Sequence, residues 1–120
     1  MVLMGASEGA KASLVAAAGM QPPVVGVVSL SAEAYLKGGI DVASYIAKIP
    51  CSLLLLTSTD DKYGSAPAAH SFLAAARTGQ ARLVTLPGAA HGTALLQPPT
   101  ATDAQAAVDG FLHSAFGSAG

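Results

Sequence analysis

Cysteine is almost missing from this chain of 120 residues: Cys51 stands alone. A single thiol cannot close an intramolecular disulfide and does not make a cysteine-based metal site, so Cys51 reads as a small buried residue entering a strand. Tryptophan is absent and aromatic residues make up only 5% of the chain. Charge is nearly as scarce, at 11%, with six Lys and Arg against seven Asp and Glu and a formal net charge of −1. No basic stripe interleaved with aromatics exists, which excludes nucleic acid as a partner. No uninterrupted apolar run of about 18 residues is present, so no membrane span is expected. The apolar N-terminus has Glu8 before Lys11 and lacks the basic start of a signal peptide; a cytoplasmic location is the default expectation. His70 and His113 fall within expected helices as ordinary surface residues. No pair of histidines with a carboxylate has ligand spacing, and neither a metal nor a cofactor is expected.

Apolar residues are abundant, at 52%. A chain of this length and composition is expected to form one domain with a real core, spanning residues 1–120. Residues 1–6, MVLMGA, suit a short buried strand, with Met1, Met4 and Met20 read as core filling. Residues 8–18 favour helix, with Gly19 as a stop and Pro22 and Pro23 as a break. VVGVVSLS, 24–31, is valine-rich without alternation, as a strand covered on both faces should be. Residues 32–40 read as a loop, and Asp41 as the cap of a short helix over 42–48, ended by Pro50. CSLLLLTS, 51–58, is a second unbroken apolar strand. A loop over 59–67 leads to a helix from Pro67 to about Arg77, then a strand over 82–88. A loop with one helical turn covers 88–102, and a final amphipathic helix covers 103–116.

Strands alternating with helices imply an α/β fold: a three-layer sandwich around a parallel sheet of about four strands. In such sheets reacting groups gather beyond the carboxyl ends of the strands. The first of these loops carries Ser7, the second Ser29 and Ser31, the third Asp60 and Asp61, the fourth His91. A serine, a carboxylate and a histidine therefore converge on one edge of the sheet. Serine is a weak nucleophile at neutral pH, histidine can take its proton and return it to a leaving group, and a buried carboxylate fixes the imidazole tautomer. Ser7 lies in Gly5-Ala6-Ser7-Glu8-Gly9, a G-x-S-x-G turn. There a strained serine needs small neighbours two residues away, and the Glu8 backbone N–H would face a developing oxyanion. The Glu8 side chain reads as a solvated first-turn residue. Tyr35 and Tyr63 are candidates for the mouth of a site, or for packing with the hydroxyl toward water.

The segments VLMGASEGA, VVGVVSLS, PCSLLLLTSTDDKYGS and RLVTLPGAAHGTALL, in this order and covering nearly the whole chain, resemble the α/β-hydrolase fold, in particular the dienelactone-hydrolase-like serine esterases. The resemblance implies Ser7 as nucleophile, His91 as base and an aspartate between them. In STDDKYGS the family usually has aspartate followed by proline; Lys62 occupies the proline's place, which favours Asp61, with Asp60 as the alternative. The implied activity is hydrolysis of small carboxylic esters through an acyl-enzyme, small because no lid domain is encoded.

A full-length member of that family has further strands before the nucleophile strand, so the chain is expected to correspond to the C-terminal half of the fold. A second oxyanion donor would come from the preceding half. Residues 2–6 are then an exposed apolar edge, and a homo-oligomer paired through it is expected. Two rival readings follow: a catalytically weak hydrolase fragment serving as a scaffold or needing a partner half, and a nucleotide-binding α/β module. The second fits poorly. Lys11 stands where the last glycine of a dinucleotide turn belongs, and no acidic residue closes the strand ending Ser29-Leu30-Ser31.

Overall fold

The structure, a computed structural model, describes residues 1–20 and 24–117; the expected break at Pro22 and Pro23 lies outside the described residues. Four parallel strands form the central sheet: β1 (Val2–Ala6), β2 (Gly26–Leu30), β5 (Ser52–Ser58) and β6 (Ala81–Leu86), side by side in that order. Between them run α1 (Glu8–Ala17), α2 (Ala43–Ile46) and α3 (Ser65–Ala75). A 3₁₀ helix, Gly92–Leu96, and α4 (Ala101–Gly117) complete the chain. Because each strand is laid down beside the one before it, right-handed crossovers put α1, α2 and α3 on the same face. The 3₁₀ helix and α4 cover the other.

The three layers follow from the strand sequences. Val27, Leu53 and Leu55 pack with Leu14, Ile46 and Phe72 on the first face, while Val28, Leu30, Leu54 and Leu56 pack with Leu95, Val108 and Phe111 on the second. Every residue of β2 and all but the first of β5 are buried. Alternate side chains thus enter opposite cores, which is why neither strand alternates in polarity. Each fully buried leucine of β5 contributes about 1.5–3 kcal/mol.

Several local expectations are corrected. Residues 32–40 are not simply a loop: Tyr35–Leu36 (β3) and Ile40–Asp41 (β4) pair as a small antiparallel hairpin. Gly38 and Gly39 turn it, both at positive φ (94° and 80°), a conformation that only glycine adopts freely. Asp41 is consequently a strand residue, not a cap. Helix α2 is shorter than expected, begins after Val42 and has no side-chain cap. Met1 and Met4 are exposed rather than core filling, because β1 is the edge of the sheet; Met20 does pack against the core. Cys51 is only half-buried and precedes β5. Among the described residues, no helix is long and apolar enough to cross a membrane.

Candidate active site

Beyond the carboxyl end of β1 the chain reverses sharply into α1. Ser7 sits in the turn at φ 54° and ψ −117°, backbone space that a side-chain-bearing residue occupies only under strain. Its amide continues the sheet ladder by donating to the Leu30 carbonyl at 2.8 Å. The tightness of the turn falls on one glycine. A Cβ on Gly5 would lie 2.8 Å from the Ala10 nitrogen and closer still to the Gly9 carbonyl, whereas a Cβ on Gly9 would meet nothing within 4 Å. The expectation that both glycines are sterically required is therefore corrected: Gly5 must be small because Gly9's backbone passes over it.

A serine preceding a helix commonly caps it with its own side chain. Ser7 makes no such bond; its Oγ lies 2.9 Å from His91 Nε2. His91 Nδ1 lies 2.7 Å from Asp61 Oδ2. The Asp61 side chain is fully buried and that of His91 is 21% exposed, so one end of the line is dry and the other opens to solvent. Asp60, the alternative carboxylate, is exposed, and its backbone N–H donates to the Gly88 carbonyl at 2.8 Å.

Asp61 is held by more than His91. The Tyr63 N–H donates to Oδ1 at 3.0 Å and the Ser65 hydroxyl donates to Oδ2. Burial pushes the Asp61 pKa up, but the bonds from Ser65, His91 and Tyr63 together outweigh it and hold the carboxyl below its ordinary value. The Tyr63 ring packs against the imidazole, centroids 4.4 Å apart and tilted by 46°, while remaining largely exposed. Tyr63 thus lies beside His91, and Tyr35 is an exposed residue of the hairpin. The sequence gives little sign of Ser65. Its only signal was a hydroxyl residue four positions after Asp61, at the start of a helix.

The first amides of α1 have no acceptor within the helix, as at any helix start, since Ala10 and Lys11 are the first to donate back, to the Ser7 carbonyl. The Glu8 N–H is one of these free donors and adjoins the serine. The Glu8 side chain is turned elsewhere. It pairs with Lys11 at 2.6 Å and accepts the Lys37 N–H at 3.2 Å, and these bonds lower its pKa. His70 and His113 are exposed on α3 and α4. A cavity of about 950 Å³ lies at the other end of the sheet, between Pro50, Cys51, Arg77, Gln80 and Phe111. Burial pushes the Cys51 thiol up, away from the nucleophilic thiolate. Among the described residues, no three His, Cys, Asp or Glu side chains are grouped to hold a metal ion.

A parallel sheet in the order described, with a strained serine turn after one strand and the carboxylate and histidine after two others, is the fold of the α/β-hydrolases, here in partial form. Solved structures similar to this chain share it. An esterase from Pyrococcus furiosus superposes with a TM-score of 0.80 at 15% identity, over 94% of this chain and 52% of its own. The esterase domain of a Rhodothermus marinus protein gives 0.71 at 22% identity, over 93% and 58%. A dienelactone hydrolase from Anabaena variabilis gives 0.72 at 29% identity, over 93% and 48%. The chain thus spans about half the length of these structures. No family model matches it, and no curated protein matches it by sequence.

Proposed function

We propose that the chain carries the reacting groups of a serine hydrolase that cleaves small carboxylic esters through an acyl-enzyme. Ser7 Oγ attacks the ester carbonyl carbon as His91 Nε2 removes its proton. Asp61 keeps the imidazole in the tautomer with Nδ1 protonated and stabilises the imidazolium that forms. The Glu8 N–H, at the positive end of α1, donates to the oxyanion. Collapse of the tetrahedral intermediate breaks the bond to the alkoxide, which leaves with the proton from His91. Water, deprotonated by the same imidazole, then hydrolyses the acyl-serine.

The observation that carries this reading is the continuous hydrogen-bonded line from Ser7 through His91 to a buried Asp61. The strained serine turn supports it, as does the likeness to two esterases and a dienelactone hydrolase. The test is hydrolysis of a short-chain chromogenic ester by wild type beside Ser7→Ala. A loss of at least about a thousandfold is expected. Equal rates would remove the reading.

A specific observation also favours the oligomer. One long side of β1 is unpaired among the described residues, and Met1 and Met4 are 63% and 46% exposed. An apolar strand edge is a template for pairing. On this reading a second copy covers it, and light scattering at micromolar concentration should find a species heavier than one chain; a clean monomer would exclude it.

A further inference from the structure

His91 follows β6, yet its imidazole meets Ser7, which follows β1 at the opposite side of the sheet. Neighbouring strands lie about 4.8 Å apart, so the segment carrying His91 must reach across the ends of two strands, roughly 14 Å in all. Residues 87–91 form no helix or strand; the segment is tied at its start, where the Gly88 carbonyl accepts the Asp60 N–H at 2.8 Å. Each of the two strands crossed supplies one serine to the crossing segment. Ser58, the last residue of β5, donates its hydroxyl to the Ala90 carbonyl at 2.6 Å. Ser31, the residue after β2, accepts the Gly92 N–H on its Oγ at 2.9 Å. Both serines are fully buried. The two bonds fall on the residues immediately before and after His91.

Among the described residues, Ser31 is the second residue with a side chain at positive φ, 59°, the other being Ser7. That conformation is unfavourable for serine and is held by its N–H bond to the Leu56 carbonyl at 2.8 Å. The left-handed turn is what accompanies a hydroxyl placed under Gly92. Gly92 is itself at φ 62°, and a Cβ there would come within 3.7 Å of Ala6 and 3.9 Å of Ser7. The clamped segment therefore runs beside the serine turn, close enough that a side chain at Gly92 would touch it.

We propose that Ser31 and Ser58 are positioning residues that clamp the backbone on either side of His91 and so set the imidazole against Ser7. The inference rests on the hydrolase reading for its kinetic consequence but not for its geometry. Misplacing a reacting group by about 1 Å can cost on the order of a hundredfold in rate. Loss of one anchor, with the other retained, should cost about tenfold.

The variants are Ser31→Gly, Ser58→Ala and the double. Ser31→Gly removes the hydroxyl bonded to the buried Gly92 N–H while relieving the positive-φ strain, so its effects on stability oppose one another, whereas a merely structural role would leave the rate per folded molecule unchanged. The expected result is kcat lowered about tenfold in each single variant and about a hundredfold in the double, with KM within twofold, at a temperature where each variant is folded. The second readout is the deshielded His91 Nδ1 proton in the NMR spectrum, which should broaden or vanish in the double variant. A wild-type kcat for Ser31→Gly overturns the proposal, and does so even where Ser58→Ala fails to fold. Should Ser7→Ala hydrolyse as fast as wild type, the hydrolase reading falls instead. The clamp is then judged by the Nδ1 proton alone: an unchanged resonance in the double variant overturns it.

Discussion

The Ser65 hydroxyl donates to Asp61 Oδ2, the same oxygen that faces His91 Nδ1. Ser65 has one proton, and the carboxylate takes it. The hydroxyl of buried Thr57, also bonded to Ser65, must therefore be the donor in that pair. The donors run in one direction, from Thr57 through Ser65 to Asp61, and all converge on the buried negative charge. Ser65→Ala should destabilise the fold by about 1–3 kcal/mol at neutral pH, because a charged acceptor loses a donor in a dry site. Thr57 would be left with only a long 3.4 Å contact to the Ser58 carbonyl. Urea unfolding of the two proteins at pH 7 checks this, and an unchanged midpoint would contradict it.

The same bonds set a pH dependence. Burial works to raise the Asp61 pKa, and the bonds from Ser65, His91 and Tyr63 win, leaving it lowered. A carboxyl whose folded pKa lies below its unfolded value stabilises the fold above the unfolded value, about 3.9, and that stabilisation disappears as pH falls through the folded value. Wild type should therefore keep this contribution at pH 5 and lose it only below about pH 4. In Ser65→Ala the largest of the opposing bonds is gone, so the loss should begin at higher pH. Unfolding midpoints measured from pH 7 to pH 3 would show the displacement; coincident profiles would exclude Ser65 as its cause.

Gly5 and Gly9 look equivalent in the sequence but should behave differently. Gly5→Ala places a methyl group against the Gly9 carbonyl and Ala10 nitrogen, backbone atoms that cannot rotate away. A loss of about 3 kcal/mol or more is expected, with disruption of the Ser7 turn. Gly9→Ala meets open space within the first turn of α1 and should be neutral or slightly stabilising. Thermal unfolding of the two variants separates them. Equal losses would mean that the turn is not limited by this approach.

The neighbouring aspartates offer a paired comparison. Asp61 lies against His91 with its side chain buried, while Asp60 is exposed. Asp61→Asn should lower ester kcat by about 10³–10⁴, since an amide favours the wrong imidazole tautomer. Asp60→Asn should leave kcat within about twofold, as for an exposed substitution. The reverse ranking of initial rates would transfer the carboxylate role to Asp60.

How much of this was legible depends on how local each cause is. β2 and β5 could be read because a strand covered on both faces needs apolar residues at every position, and GVVSL and SLLLL announce it. The hairpin at Tyr35–Asp41 escaped because strands of two residues are too short to show a period; the Gly38-Gly39 pair was the available signal. Met4 misled because methionine letters look the same in a core and at an edge, and only the strand order puts β1 outermost. Ser65 and Ser58 give little sequence signal and Ser31 shows only its place after a strand, because each acts through a residue from 4 to 61 positions away.

The order of apolar runs, glycines and prolines determined the parallel α/β layering and sent Ser7, the two aspartates and His91 to one edge, because strand burial and turn formation are governed by residues close in the chain. Tertiary structure set Asp61, which the sequence favoured over Asp60, against the imidazole, and alone decided which glycine must be small and how the His91 segment spans two strands. Those outcomes depend on sub-ångström to few-ångström distances between segments far apart in sequence, and such distances are set when the layers pack together.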